Sequence, residues 1–165
     1  MAELSSTEPS TGTEPSSTEP SGGTGLIYTD TVRPEWIDYN GHLSEPYYVL
    51  VFGYATTNLM EVTGLGEAYR AATGASLYTV EAHVRYLREV GPEAKLVVGT
   101  SVLAIGAKKL RLCHELRVDD TLVATEELLT LHVTDGKTSP FPEEVAARLG
   151  EYLAPAPDYA GRAIG

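Results

Sequence analysis

The sequence predicts an α+β domain in which an antiparallel sheet of about five strands wraps one long central helix. Three observations carry this. One helix-period stretch lies between Ser44 and Gly64, a β-branched and aromatic segment precedes it, and four β-patterned segments follow it, joined by short separators with turn chemistry. The chain has 165 residues, room for one domain with its own core and too few for two ordinary ones.

The elements follow in order. Residues 1–25 form a Ser/Thr/Glu/Pro-rich segment in which STEPS, GTEPS and STEPS recur; it lacks apolar anchors beyond its first few residues, and the composition predicts a disordered tail. The folded domain is expected over 26–153. It opens with LIYTDTVRP, a strand that closes at Pro34. Pro46 suits the first turn of a helix, with Ser44 or Glu45 as the cap before it. Tyr48, Val51, Phe52, Ala55, Leu59 and Val62 then share one helical face up to Gly64, while Val49, Leu50, Tyr54 and Met60 make the opposite side apolar as well. A helix apolar nearly all round is expected to be covered by other structure. GEAYRAATG predicts a shorter helix. SLYTVEAHVRYLREV, KLVVGTSVLAI, KLRLCHELRV and LVATEELLTLHVTD predict four antiparallel strands separated by GPEA, GAK and DDT, with Asp135-Gly136 ending the sheet. FPEEVAARLGEYL predicts a closing amphipathic helix, and residues 154–165 an irregular end.

Composition excludes several classes. The net charge is −11; four acids (Glu3, Glu8, Glu14, Glu19) fall in the first 25 residues, and the other 19 against 12 basic residues leave −7. That balance argues against a nucleic-acid partner, which needs a basic face. No apolar run approaches the roughly eighteen residues of a membrane span and no basic-then-apolar leader is present, which predicts a soluble cytoplasmic protein without a membrane partner. The single cysteine, Cys113, rules out an internal disulfide and reads as a buried strand residue. The four histidines (His42, His83, His114, His132) are scattered without metal-ligand spacing, so neither a metal nor a cofactor is expected.

The chemistry concentrates in WIDYNGHLSEPYY, Trp36 to Tyr48. The first N–H groups of the helix and its positive dipole end face the space in front of it, an arrangement that stabilises a developing oxyanion. Asn40-Gly41 permits a tight turn that brings Asp38, seven residues before Glu45, back toward that space. The same residues also describe a plain loop, with Asp38 in an Asx-turn or cap, Gly41 as a turn glycine and His42 packed. Both readings stand on the residues alone.

VRPEWIDYNGHLSEPYYVLVFGYAT, with a sheet that begins VEAHVRYLREVGPEAKL and ends before PFPEEV, resembles the hotdog-fold acyl-CoA thioesterases of the 4-hydroxybenzoyl-CoA thioesterase-like superfamily. The resemblance runs from about Val32 to Leu149. PEWIDYNGH together with LYTVEAHVRYLREV is most similar to the betainyl-CoA thioesterases of carnitine breakdown. It implies that Asp38 attacks the thioester carbonyl or activates a water, that His42 supports it, and that the Glu45 backbone N–H polarises the thioester oxygen. Ser44 departs from the family, many members of which carry Asn there. A betainyl group is a cation without N–H donors, so aromatic faces and carboxylates must hold it. Trp36 leads the expected cage, with Tyr39, Tyr47, Tyr48 and Glu81, and with Tyr78 and Tyr86 nearby. For the CoA phosphates, Lys108, Lys109 and Arg111 form the densest basic group, and Arg85 with Arg88 a second. Family members pair subunits, so a homodimer or homotetramer is expected. The rival readings are a hotdog hydratase or dehydratase, and a non-catalytic acyl-CoA binder.

Overall fold

The structure, a computed structural model, describes residues 25–161; the tail expected over 1–25 falls almost wholly outside the described residues. The elements are β1 (Leu26–Thr31), a 3-10 turn (Pro34–Trp36), α1 (Glu45–Thr63), α2 (Glu67–Thr73), β2 (Ala75–Tyr86), β3 (Lys95–Ile105), β4 (Lys109–Val118), β5 (Thr121–Thr134), a two-residue β6 (Lys137–Thr138) and α3 (Glu143–Gly150). All strand pairings are antiparallel in the order β1-β3-β4-β5-β2, with β6 folded back on β5. This is the expected α+β arrangement, with a sheet wrapped round one long helix.

The sheet's inner face follows the period-2 rule. Leu96, Val98, Thr100 and Val102 on β3, Leu110, Leu112, His114 and Leu116 on β4, and Ala124, Glu126, Leu128, Thr130 and His132 on β5 are all buried. On α1, Tyr48, Val51, Phe52, Ala55, Leu59 and Thr63 meet that face. The buried stripe ends on Thr63 rather than Val62, which is 45% exposed. Thr63 tolerates the core because its hydroxyl donates to the Leu59 carbonyl at 2.7 Å. Gly64 ends the helix at φ +84°, where a glycine carries no Cβ penalty.

Two turns carry the positive φ values that primed hairpins demand. These are Asp119-Asp120 (φ 47° and 62°) between β4 and β5, and Asp135-Gly136 (50° and 74°) between β5 and β6. The latter does not end the sheet, because Lys137 and Thr138 pair back onto Thr134 and Val133.

GPEA is not a hairpin turn. β2 pairs with β5 and β3 with β1 and β4, so residues 87–94 cross the end of the sheet between β2 and β3. The crossing is pinned at both ends: Leu87 and Arg88 N–H donate to the Val123 carbonyl, and the Val90 and Ala94 carbonyls accept from Leu43 and Val32 N–H. It thereby lies against the loop that leads into α1. The chain's other end is also held. Tyr152 and Ala154 bond Val102, and further on Tyr159 donates to Glu115 at 2.7 Å across the sheet's outer face.

Candidate active site

The loop before α1 is built by its own backbone. After the 3-10 turn, Ile37 and Leu43 form an isolated bridge, Asp38 N–H donates to the His42 carbonyl at 2.9 Å, and Gly41 N–H donates to the Asp38 carbonyl at 3.0 Å. Gly41 sits at φ +84°, the left-handed conformation this tight return needs. Asp38 Oδ1 accepts Asn40 N–H at 2.8 Å and His42 N–H at 3.4 Å; Oδ2 receives only the Asn40 side-chain amide at 3.4 Å. The Asx-turn is present and does not occupy the whole carboxylate. One oxygen holds the loop and the other is left comparatively free. Desolvation pushes the Asp38 carboxyl upward, but the Asn40 and His42 N–H bonds, the Asn40 amide and the nearby His42 charge outweigh it and set its pKa below the ordinary value. Asp38 is thus ionised at neutral pH.

At the helix entrance Pro46 brings no N–H and Tyr47 spends its own on the Ser44 carbonyl at 3.0 Å. No backbone acceptor among the described residues takes the Glu45 N–H. This donor lies at the positive end of a 19-residue helix, and Glu45 lines the same groove as Asp38. The groove encloses about 460 Å³, and Tyr48 and Tyr86 form its wall with Arg88 and Glu89 from the crossing segment. The Tyr48 ring meets Tyr86 edge-on at 5.2 Å and its hydroxyl donates to the Arg88 carbonyl at 3.4 Å. His42 Nε2 lies 3.3 Å from the Glu89 carboxylate. Asp38, Glu45 and Glu89 face Arg88 and His42, so the groove favours a cation over an anion.

The groove brings together Asp38, His42, Glu45, Tyr48, Tyr86 and Arg88 of the expected residues and leaves the others elsewhere. Trp36 is 3% exposed, stacks on Tyr47 at 5.5 Å and carries the Arg33 guanidinium 4.7 Å over its ring. Its faces are already occupied, so the geometry gives it a packing role in place of the expected lead in the cage. Trp36→Leu is expected to cost roughly 2–4 kcal/mol of stability and to lower kcat/KM for betainyl-CoA and acetyl-CoA by the same factor. A loss confined to betainyl-CoA would return the ring to the substrate. Tyr39 is 98% exposed and lines neither this groove nor the pocket that Glu81 lines. Glu81 lines a different pocket, on the outer face with His83, Arg111 and Glu127.

The basic residues divide in the same way. Lys108 and Lys109 follow β3, whereas the Asp38 loop docks where β3 begins, so the strand's length of roughly 30 Å separates them within one subunit. Arg111 is ion-paired with Glu127. Of the second basic group, Arg88 lines the Asp38 groove, while Arg85 lies over the Tyr159 ring at 5.3 Å. Cys113 is buried, and burial pushes its thiol above the ordinary value, as suits a strand residue and not a nucleophile. Among the described residues no cluster of three or more His, Cys, Asp or Glu side chains could hold a metal, and no helix is long and apolar enough to cross a membrane.

Sequence reasoning passed over Glu89 and Glu126. Glu89 became visible only once the crossing segment was placed. Glu126 carried a signal: in ATEELLTLH it occupies the inward phase set by Ala124, Leu128, Thr130 and His132.

Comparison with known proteins agrees with this geometry. Residues 32–149 match the thioesterase-like superfamily. The betainyl-CoA thioesterase of Pseudomonas aeruginosa is 43% identical over 148 residues, covering 84% of this chain and 92% of that protein. An L-carnitine dehydrogenase/betainyl-CoA thioesterase of Agrobacterium fabrum is 43% identical over 140 residues; the match covers 81% of this chain but only 29% of that longer protein. Among solved structures, a Staphylococcus aureus protein in complex with CoA superposes with a TM-score of 0.79 at 25% identity, covering 84% of this chain and 93% of that one. A candidate thioesterase from Pseudomonas putida superposes with a TM-score of 0.75 at 37% identity, covering 87% and 98%.

Proposed function

This chain belongs to the thioesterase-like superfamily, and from that premise we propose that it hydrolyses betainyl-CoA to glycine betaine and CoA, a step of carnitine breakdown. It is an acyl-CoA thioester hydrolase. The observation that carries the proposal is the meeting, in one groove, of an ionised Asp38 with a half-free carboxylate and a Glu45 N–H with no backbone acceptor. The thioester oxygen accepts from Glu45 N–H, and the helix dipole stabilises the charge that develops there. Asp38 Oδ2 acts on the carbonyl carbon in one of two ways. It attacks directly, forming a C–O bond as the C–S bond breaks and the CoA thiolate leaves, with water then hydrolysing the anhydride; or it takes a proton from a water that attacks. His42, bridged to Glu89, supports the loop.

The substrate assignment draws on the printed function of the Pseudomonas aeruginosa relative and on the groove's excess of carboxylates, which suits a cationic acyl group. Arg88 is the cation placed to meet a CoA phosphate at the same groove. We further place the enzyme in the cytoplasm as a homodimer, or a tetramer built from such dimers. β2 is an unpaired edge with Tyr78 and Val80 46% and 52% exposed, and α1 turns Val49, Leu50, Tyr54 and Val62 outward.

The test is thiol release from a panel of acyl-CoAs that includes betainyl-CoA, acetyl-CoA and an enoyl-CoA. Thiol release fastest from betainyl-CoA is the expected result. Hydration of the enoyl-CoA without thiol release would favour a hydratase, and binding without turnover a non-catalytic acyl-CoA binder.

A further inference from the structure

Glu126 is a carboxylate in the wrong place for a sheet that only needs a core. It lies on the inner face of β5 at 3% exposure, between Ala124 and Leu128. Its cross-strand neighbours on that face are His114 of β4 and Val84 of β2. His114 does not neutralise it: Nδ1 meets the Thr100 hydroxyl at 2.9 Å, Nε2 meets the Thr56 hydroxyl at 2.8 Å, and burial holds the ring's pKa at about 3, so it is uncharged. Among the described residues no cation and no hydrogen-bond donor is found on the Glu126 carboxylate. Its oxygens are not sealed off, because no buried side-chain oxygen or nitrogen among the described residues lacks a partner; a largely enclosed carboxylate that still opens to solvent and has no partner in the chain points to one from outside it.

The surroundings say where that partner comes from. Tyr86 stands opposite Ala124, one same-face position along from the Val84–Glu126 pair, within the diagonal reach of an aromatic side chain. Tyr86 lines the Asp38 groove. Burial first, then the Glu45 carboxylate, then Glu126 raise its hydroxyl above the ordinary value, so both carboxylates act on that hydroxyl. Tyr48 packs edge-on against Tyr86, and Phe52, one turn along α1, stacks on His114. A short acyl group whose carbonyl oxygen sits on Glu45 N–H thus enters a space bounded by two tyrosines; Glu126 does not itself line the groove but lies one same-face position beyond Tyr86 in the sheet.

We propose that Glu126 is the counter-ion for a quaternary ammonium in the acyl group, and that with Tyr48 and Tyr86 it selects a cationic short acyl thioester over a neutral one of the same shape. This rests on the substrate reading above and names the residue that enforces it. A quaternary ammonium cannot donate a hydrogen bond from nitrogen, so a lone carboxylate and aromatic walls are the recognition its chemistry allows.

The experiment compares betainyl-CoA with its neutral isostere, 3,3-dimethylbutanoyl-CoA, in which carbon replaces the ammonium nitrogen. The quantity read is the ratio of the two kcat/KM values. For Glu126→Gln the ratio is expected to fall at least tenfold, and for Glu126→Asp, which keeps the charge, to fall less. A ratio that does not move, whether both rates drop together or neither changes, overturns the proposal, as does an equal fall for both variants. Should the variants not fold, the wild type supplies a readout: tetramethylammonium is expected to compete with acetyl-CoA hydrolysis where tert-butyl alcohol does not, and equal behaviour of the two overturns the proposal. Wild type that releases no thiol from betainyl-CoA refutes the substrate reading itself, an outcome distinct from a wild type that does so with a ratio indifferent to Glu126.

Discussion

Asp38→Asn is expected to lower kcat/KM for betainyl-CoA by about 10²- to 10⁴-fold, the range that a positioned acid or base contributes, while leaving the unfolding midpoint near that of wild type. The substitution separates the residue's two tasks. Asn retains a side-chain oxygen that accepts the Asn40 and His42 N–H bonds now made to Oδ1, so the turn that presents residue 38 survives. It removes the ionised second oxygen, whose only partner is the Asn40 amide at 3.4 Å. Asp38→Ala would lose both tasks together and so could not distinguish loop from chemistry. Because the folded protein holds the Asp38 pKa below its ordinary value, the carboxylate stays ionised as pH falls toward 4. Loss of wild-type activity above that range then belongs to another group. Thiol release by Asp38→Asn at the wild-type rate would make Asp38 a turn residue alone and remove the catalytic assignment.

Most of the fold was legible because its signals are local. The α1 boundaries follow from Pro46 and Gly64, the strands from period-2 alternation, and the β4–β5 hairpin from Asp119-Asp120, whose positive φ values match its turn chemistry, whereas Asp135-Gly136, read as the end of the sheet, instead turns the chain back into β6. The strand order was not legible in the same way. Four strands in succession suggest a meander, but β2 pairs with β5, and the segment carrying Gly91-Pro92 has to cross the sheet end to reach β3. Nothing in eight residues of loop distinguishes a crossing from a turn, since both need backbone freedom and polar exposure. The site shows the same division. Asp38, Gly41 and Glu45 lie within one short segment, and their relation could be reasoned from chain geometry. The walls arrive from the end of β2, which supplies Tyr86, and from the crossing, which supplies Arg88 and Glu89, so the cage assigned to Trp36 by its closeness in sequence went to a ring that packs against Tyr47.

Glu126 also sets an expected result for stability, independent of any substrate. Burial raises its pKa from 4.5 to about 7. Below pH 4.5 the folded and unfolded chains both hold the proton and Glu126 contributes nothing to the pH dependence. Between 4.5 and about 7 the folded chain holds a proton that the unfolded chain has released, so raising the pH costs the folded state; above about 7 both are ionised and the cost is complete. A shift of that size corresponds to about 3 kcal/mol. In Glu126→Gln the group does not titrate, so the variant's unfolding free energy relative to wild type is expected to grow by about 3 kcal/mol from pH 4.5 to pH 8. Referring each pH to the same pair of proteins cancels whatever the buried amide itself costs, and equal protein concentrations cancel association. Denaturant melts across that window measure it. A difference that stays flat would mean that the carboxylate is solvated or paired in solution, which would remove the unpaired charge on which the selectivity of the groove depends. A rising difference identifies a side chain held against the interests of folding, and such a cost persists where the group serves a ligand.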